Sequence, residues 1–202
     1  ASKRAAELFV QSLQNSEGNI TKFITTRFGN VLGSNGSVIP HFKRQIENGG
    51  PITITHPDIV RYFMTIPEAC ELVLHAGIMG KGGEIFVFDM GEPVKILDLA
   101  NRMIKLSGFE PEVDIKIIYT GLRPGEKLYE ELLSDDAKTL PTHNEKIMIS
   151  KDPTMEFAAI EKYTNHIIKA ALRGEKVEVV QILKNIVPEF KSNNSIYEIL
   201  DK

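Results

Sequence analysis

The glycine residues of this chain are distributed very unevenly, and this distribution constrains the fold more than any other feature of the sequence. The chain has 202 residues and 15 glycines, and only Gly174 follows Leu133. Glycine-rich loops between short elements suit an α/β region whose backbone approaches a ligand, whereas a glycine-poor tail suits packed helices. We therefore expect an α/β region over residues 1–133 and a mainly helical extension over residues 134–202 packed on the same domain.

Charge and cysteine content exclude several classes of protein. The chain has 24 Lys and Arg against 27 Asp and Glu, a net charge of -3, so a polybasic nucleic-acid-binding protein is excluded as the default and no nucleic-acid partner is expected. The single cysteine, Cys70, excludes an intrachain disulfide framework. The histidines show no ligand-like grouping, so no metal site is predicted. No apolar run approaches the ~20 residues needed to span a bilayer, so we expect a soluble chain.

Hydrophobic periodicity and turn residues predict alternating helices and strands. Helices are predicted over residues 2–13, 37–48, 67–79, 95–107, 155–173 and 176–186. Strands are predicted over residues 22–28, 51–55, 84–89, 113–119 and 146–149. This alternation is typical of an α/β core. In the third helix, Cys70 shares a stripe with Ile66, Val73 and Gly77, which predicts that the thiol packs in the core.

Small residues precede the second predicted helix. The run Gly33-Ser34-Asn35-Gly36-Ser37 ends in a residue type that commonly caps helices. Free backbone N–H groups and the positive end of the helix dipole can bind a phosphate at such a position. The same residues could instead form a loop that only caps the helix. No GxGxxG or Walker motif is present, so the chain has no dinucleotide fingerprint of its own.

Two arginines strengthen the phosphate-binding interpretation. Arg61 lies in HPDIVRYF and Arg123 lies in GLRPGEK, a turn-forming segment. A guanidinium offers a planar fork of donors that matches phosphate oxygens. Each arginine could instead be a surface residue or the partner of a nearby carboxylate. The acidic pairs Glu130-Glu131 and Asp135-Asp136 are interpreted as a solvated turn.

Several of these motifs resemble a known family. RFGNVLGSNGSVIPHF, HPDIVRYFMTIPEA and GLRPGEKLYEELL resemble the C-terminal half of an extended short-chain dehydrogenase/reductase that acts on nucleotide sugars. PTHNEKIMI and VPEFKSNNSIYEIL resemble the CapD-like polysaccharide-biosynthesis family of UDP-N-acetylglucosamine 4,6-dehydratases. The resemblance implies that residues 1–133 are the C-terminal part of a Rossmann-type catalytic domain and carry its nucleotide-sugar site.

The resemblance also implies substrate-binding roles for matched positions. Asn30 resembles the asparagine that contacts the diphosphate or hexose. Thr53 resembles a residue that contacts the nucleotide on the strand at the uracil side. Arg61 and Arg123 resemble the two diphosphate arginines, and Glu126 the residue that accepts from the ribose hydroxyls. The residues at the entry of the helix around the nucleotide are matched by Ser37, Val38 and Ile39.

Three residues are implied to lie near the cofactor. Phe28 and Gly29 match positions that face the nicotinamide. Lys3, preceded by Ser2, resembles the catalytic lysine that binds the nicotinamide ribose and follows the catalytic tyrosine by four residues. Its partner would lie two residues before Ala1, where CapD-like members commonly have methionine. We therefore expect a chain cut within a helix, with NAD or NADP bound mainly by a missing N-terminal half. Lys3 could instead be part of an exposed helix start.

The resulting hypothesis is the substrate-binding portion of an NAD-dependent nucleotide-sugar 4,6-dehydratase, a lyase of surface-polysaccharide biosynthesis that acts on a UDP-sugar. The 202 residues alone are predicted to be inactive. A nucleotide-sugar 4-epimerase and a non-catalytic nucleotide-sugar-binding module are the alternatives. The resemblance further implies that the full-length protein is a homo-oligomer. It also implies that the full-length protein lies at the cytoplasmic side of a bacterial inner membrane and associates with the membrane only through missing N-terminal helices.

Overall fold

The computed structural model describes residues 1–130 and 139–201. The predicted boundary between residues 133 and 134 lies outside this part of the chain, as do Glu131 and the pair Asp135-Asp136. The helices of the described residues are α1 (Ser2–Leu13), α2 (Val38–Glu47), α3 (Ile66–Met79), α4 (Ile96–Leu106), α5 (Phe157–Leu172), α6 (Lys176–Ile186) and a terminal 3-10 helix (Ile196–Leu200). All six predicted α-helices are therefore confirmed, with small differences at their ends.

The strands are shorter and more numerous than predicted. They are β1 (Thr25–Arg27), β2 (Asn30–Val31), β3 (Ile52–Ile54), β4 (Val60–Arg61), β5 (Phe63–Met64), β6 (Ile85–Phe88), β7 (Val94–Lys95), β8 (Ile117–Tyr119), β9 (Thr139–Pro141) and β10 (Ile147–Ser150). The strand predicted over residues 113–119 begins only at Ile117. Short strands such as β2, β4, β5 and β7 were not predicted, because two residues are too few to show an alternating pattern.

The largest sheet has the strand order β1-β6-β10-β9. β1 pairs in parallel with β6, with Thr26 opposite Phe86, and β10 is antiparallel to both of its neighbours. All four residues of β6 are buried, as expected for a central strand covered on both faces. Three two-stranded sheets accompany it: β2 and β5 are parallel, β3 and β8 are parallel, and β4 and β7 are antiparallel.

Helix α3 buries a different face from the one predicted. Thr65 and Glu68 cap its start reciprocally, with the Glu68 amide donating to Thr65 Oγ1 at 3.4 Å and the Thr65 amide donating to Glu68 Oε2 at 2.9 Å. The stripe packed against the large sheet consists of Ala69, Leu72 and Ala76. The sequence pattern predicted instead that the stripe with Cys70 packs in the core. That prediction was wrong, since Cys70 is exposed. Both stripes are apolar, and the small alanine side chains allow the helix to lie close to the sheet.

Two further hydrophobic clusters lie beside the one under α3. In the first, α2 and α4 pack around β3 through Phe42, Ile46, Ile52 and Ile104. In the second, α1 packs against α5 and α6, with Leu8 beside Ile160 and Ile182. In the described part of the chain, no helix has both the length and the apolar character needed to cross a membrane.

Candidate functional site

A close approach of two backbone segments places Asn30. The Asn30 amide donates to the Tyr62 carbonyl at 3.0 Å, and Asn30 Nδ2 donates to the same oxygen at 3.1 Å. The preceding residue is Gly29, and a Cβ there would lie 3.1 Å from the Tyr62 carbonyl oxygen and 3.2 Å from Met90 Cε. Glycine at position 29 therefore allows β2 and β5 to meet, which fixes Asn30 beside the segment that contains Arg61.

Arg61 links β4 to the segment formed by residues 121–130, which we call the arginine loop. Its Nη2 donates to the Lys127 carbonyl at 2.9 Å, and its Nη1 donates to the Val60 carbonyl at 2.7 Å. The carboxylates of Glu126 and Glu130 each lie 3.6 Å from its guanidinium. Its side chain is only 17% exposed, so these contacts hold the guanidinium in one place. Arg61 thus has nearby carboxylate partners, as the alternative to a phosphate-binding role predicted.

The two carboxylates of the arginine loop also bind neighbouring segments. Glu126 Oε1 accepts from Thr55 Oγ1 at 3.0 Å. Glu130 Oε2 accepts from the Tyr62 amide at 3.2 Å, and Glu130 Oε1 accepts from Asn30 Nδ2 at 3.4 Å. The interpretation of Glu130 as part of a solvated turn was therefore wrong. Sequence reasoning missed this residue, and its only signal was a position four residues after Glu126.

Arg123 differs from Arg61 in its surroundings. Its backbone amide donates to Glu126 Oε2 at 2.9 Å, but the residue is exposed. Within residues 1–130 and 139–201, no hydrogen bond or ion pair engages the Arg123 guanidinium. A second hydrogen bond fixes the loop backbone, since the Gly125 amide donates to the Asn193 carbonyl at 2.7 Å. Arg123 therefore extends from a backbone that is held at both sides, with its cationic group available to an anion.

The N-terminus of α2 lacks the side-chain cap predicted for it. Ser37 occupies the cap position in extended backbone conformation, but its side chain makes no capping bond. In the described residues, Ser37 Oγ is buried and has no hydrogen-bond partner. Val38 packs against the cluster between α2 and α4, and Ile39 follows it in the first turn. The prediction was therefore correct about which residue occupies the cap position, but wrong about a capping hydrogen bond from its side chain.

Thr53 in β3 is held by α2. Its Oγ1 accepts from Gln45 Nε2 at 2.8 Å, and its amide donates to Gln45 Oε1 at 3.2 Å. Both neighbours, Ile52 and Ile54, are buried. The Thr53 side chain is therefore fixed by the protein itself on the α2 side of the strand.

The residues predicted near a nicotinamide lie around the end of β1. Phe28 stacks on Phe88 with ring centroids 5.6 Å apart and ring planes 5° apart, and the Gly29 amide contacts Met90 Sδ at 3.3 Å. Lys3 is exposed on α1 and makes no ion pair within the described residues. Glu7, one turn further along the same helix face, pairs with Arg27, the last residue of β1. This pair places the Lys3 turn of α1 near the segment that contains Phe28.

A partly buried charge network joins α1, β1 and the segment after β10. Arg27 Nε donates to Glu7 Oε1 at 2.8 Å, and Arg27 Nη1 lies 2.6 Å from Asp152 Oδ2. Burial opposes the charged form of Arg27, but the bonds to Glu7 and Asp152 outweigh it and raise the pKa of Arg27. Burial is the largest single effect on Asp152 and raises its pKa, but the hydrogen bond and charge of Arg27, the charge of Arg4 and a hydrogen bond with Ser150 together lower that pKa overall. Arg27 and Asp152 therefore both stay charged at neutral pH.

The structure thus brings together Asn30, Arg61 and Glu126, with Arg123 on the same loop. Ser37, Val38 and Ile39 lie at the start of α2, which packs beside β3 and Thr53. In the part of the chain that the structure describes, no group of three or more His, Cys, Asp or Glu side chains is arranged to hold a metal ion. The arrangement offers amide, guanidinium and carboxylate groups, which suit a polar, anionic ligand.

Comparison with known proteins shows similarity to polysaccharide biosynthesis proteins and to UDP-glucose 4-epimerases. Residues 1–152 match the protein family described as "Polysaccharide biosynthesis protein". The capsular polysaccharide biosynthesis protein CapD of Staphylococcus aureus is 63% identical over 134 residues, which are 66% of this chain and 22% of that protein. A UDP-glucose 4-epimerase of Rickettsia akari is 33% identical over 186 residues, 85% of this chain and 53% of that protein. The chain therefore spans between a fifth and about half of the length of these relatives.

Solved structures agree on the fold. The X-ray structure of Pen from Bacillus thuringiensis superposes with a TM-score of 0.65 at 36% identity, over 77% of this chain and 48% of that chain. DesIV of Streptomyces venezuelae, a dTDP-glucose 4,6-dehydratase solved with NAD and TYD bound, has a TM-score of 0.52 at 19% identity, over 58% of this chain and 37% of its own. The predicted fold class, an α/β domain of the Rossmann type, is confirmed.

Proposed function

This chain belongs to the family of polysaccharide biosynthesis proteins, and from this premise we propose that it forms the nucleotide-sugar-binding part of a 4,6-dehydratase. The substrate of the whole protein would be UDP-N-acetylglucosamine and the product its 4-keto-6-deoxy derivative. The observation that carries the proposal is the meeting of Asn30, Arg61 and Glu126 beside the arginine loop. These three side chains offer donors to phosphate and hexose oxygens and an acceptor for sugar hydroxyl groups.

The two arginines would divide the binding of the diphosphate between them. Within the described residues the Arg123 guanidinium makes no bond, whereas Arg61 is held by Glu126, Glu130 and three backbone carbonyls. Arg61 would therefore serve as a fixed charge that organises the loop as well as a donor to the anion. Glu126 already accepts from Thr55 and from the Arg123 amide. A carboxylate has about four lone-pair positions, so Glu126 retains the capacity to accept from ribose hydroxyls.

The start of α2 would complete the nucleotide site. Ser37 Oγ is buried without a partner among the described residues, and the first turn of α2 has no side-chain cap. Backbone N–H groups at a helix N-terminus attract an anion. We infer that Ser37, Val38 and Ile39 contact the nucleotide there, with Thr53 held on the same side of β3 by Gln45 of α2.

The residues near the end of β1 fit the nicotinamide end of a dinucleotide. Phe28 and Met90 form an apolar wall, and Lys3 supplies a cationic group without an ion-pair partner in the described residues. A bound NAD or NADP supplies a reversible hydride acceptor, so oxidation at C4 and reduction at C6 need no external reductant. Lys3 would bind the nicotinamide ribose, and its charge would lower the pKa of a neighbouring acid. The sequence has no glycine-rich dinucleotide motif, so most of the cofactor would be held elsewhere in the whole protein.

A nucleotide-sugar 4-epimerase is the second candidate. Its support is the similarity to a UDP-glucose 4-epimerase over 85% of this chain. The resemblance of the segment PTHNEKIMI to CapD-like dehydratases, together with the higher identity to CapD, favours dehydration. A non-catalytic nucleotide-sugar-binding module would use the same groups without turnover.

Mass spectrometry of the reaction products of the whole protein distinguishes these functions. With UDP-N-acetylglucosamine and NAD, a dehydratase yields a product lighter by one water, whereas an epimerase yields a product of unchanged mass that separates on chromatography. We expect loss of water. Epimerisation alone, or binding of the nucleotide sugar without any product, would contradict the dehydratase proposal. Heat-denatured protein is the control.

The resemblance also supports a location and an assembly for the whole protein. We propose a homo-oligomer at the cytoplasmic face of a bacterial inner membrane, anchored by helices that are not among the residues of this chain.

A further inference from the structure

The arginine loop depends on contacts with distant segments for its conformation. β8 ends at Tyr119, and no helix or strand is present between that residue and Glu130. Arg61 holds one side of the loop through the Lys127 carbonyl at 2.9 Å. On the other side, the Gly125 amide donates to the Asn193 carbonyl at 2.7 Å. The C-terminal segment, residues 188–201, therefore contacts the loop two residues from Arg123.

The position of Asn193 is set by the carboxylate of Asp201. Both Asp201 oxygens accept from the amide of Ser192, each at 3.1 Å, which closes residues 192–201 into a compact turn. Asn193 directly follows Ser192. Within this turn, Ser195 Oγ accepts from the Tyr197 amide at 3.3 Å at the start of the 3-10 helix.

Lys184 of α6 anchors this turn to the body of the protein. Its ammonium forms an ion pair with Asp201 and donates to the Phe190 carbonyl at 3.2 Å. The same ammonium lies 4.4 Å from the centre of the Phe190 ring. The side chain is only 8% exposed, so its charge is largely removed from water and is compensated by these groups. Lys184, Asp201 and Asn193 thus form a continuous connection from α6 to the arginine loop.

We propose that Lys184 and Asp201 are positioning residues for the candidate diphosphate site. They hold the C-terminal segment so that the Asn193 carbonyl fixes Gly125, and thereby set where the Arg123 guanidinium lies. This inference rests on the proposed function, because it assigns to these residues an effect on UDP binding through Arg123. Neither Lys184 nor Asp201 is expected to contact the substrate.

Asp201→Asn in the whole protein tests the proposal. The amide retains the size of the carboxylate but loses the charge that pairs with Lys184. We expect the Kd for UDP, measured by calorimetry, to rise about 10-fold, since small displacements of a positioned group have large effects. Hydrogen exchange at the Gly125 amide should become faster because its acceptor is no longer held. Asp201→Glu, which restores the charge, should recover most of the affinity.

A double-mutant comparison separates positioning from general destabilisation. If Asp201 acts through Arg123, then Asp201→Asn should have no further effect on the Kd for UDP in an Arg123→Ala background. Glu178→Gln is the matched control, because it breaks an exposed interaction with His166 of α5 and with Arg173, which follows α5, and Glu178 does not contact the loop. Glu178→Gln should leave UDP binding unchanged. Equal effects of Asp201→Asn in both backgrounds would overturn the proposal.

A second variant covers the case in which Asp201→Asn does not fold. Lys184→Met retains the buried stem, removes the ammonium, and should give the same changes in UDP affinity and Gly125 exchange. If the wild-type protein fails to bind UDP, the proposed function is wrong. If the wild-type protein binds UDP but both variants bind it equally well with an unchanged Gly125 exchange rate, the positioning role is wrong.

Discussion

At the scale of single residues, the two candidate diphosphate arginines are not equivalent. Arg61 is surrounded by two carboxylates and three carbonyl oxygens, whereas the Arg123 side chain is exposed and makes no bond within the described residues. Arg61 lies between Val60 and Tyr62, and Arg123 lies between Leu122 and Pro124, but neither set of neighbours indicates which guanidinium pairs with carboxylates. A substitution at position 61 would disturb the fold and the site together, whereas one at position 123 reports on the site.

Arg123→Ala should weaken UDP binding of the whole protein by about 1.5–3 kcal/mol, the usual contribution of hydrogen bonds to a charged group. Thermal stability should change little, because the guanidinium makes no bond within the described residues. Calorimetric titration with UDP measures the effect. Arg102→Ala, the same change at an exposed position on α4, is the matched control and should bind UDP normally. Unchanged affinity of folded Arg123→Ala protein would contradict the assignment.

At the scale of elements, charges fix how α1 meets the large sheet. Glu7 on α1 and Asp152 after β10 bind opposite sides of the Arg27 guanidinium. Burial raises the pKa of Asp152, but the hydrogen bond and charge of Arg27, together with Arg4 and Ser150, outweigh burial and lower this pKa in the folded protein. A lowered folded-state pKa means that Asp152 stabilises the protein above its unfolded pKa of about 3.9 and loses this effect as the pH falls through the lower, folded value.

The difference in Tm between the wild-type protein and Asp152→Asn should therefore depend on pH. At pH 6 the wild-type protein should be clearly more stable, and the difference should shrink as the pH falls below about 4. Thermal unfolding of the whole protein across this range measures it. Asp58→Asn, which breaks the more exposed pair with Lys95, should give a smaller difference at pH 6. A pH-independent difference for Asp152→Asn would contradict the assigned role of its charge.

At the scale of the whole molecule, the described residues form three hydrophobic clusters. Each cluster supports an element or side chain that is assigned to the candidate site or to its positioning. The cluster around β3 carries α2, the cluster under α3 carries Phe28, and the cluster of α1, α5 and α6 supports Lys184. The chain nevertheless spans only 22% of the length of CapD. The proposed substrate-binding groups lie in this chain, whereas a dinucleotide motif is absent from its sequence.

The 202 residues alone should therefore show no dehydratase turnover of UDP-N-acetylglucosamine, even with added NAD. Without a site for the cofactor diphosphate, the reacting carbons have no positioned hydride acceptor. Chromatography of the nucleotide sugar after incubation tests this, with the whole protein at equal concentration as the control. Formation of the keto product by the 202-residue chain would contradict the prediction.

The sequence by itself determined the helices, the α/β class and the family, whereas the tertiary structure decided which groups meet. Helices such as α1 and α6 follow from periodicity and end signals within a few residues, so their bounds matched prediction. The bond from Arg61 to Lys127 joins residues 66 positions apart. The contacts of Glu130 and Asn193 also join distant segments. Such contacts depend on which distant segments the tertiary fold brings together. Local sequence patterns contain no information about contacts over such separations.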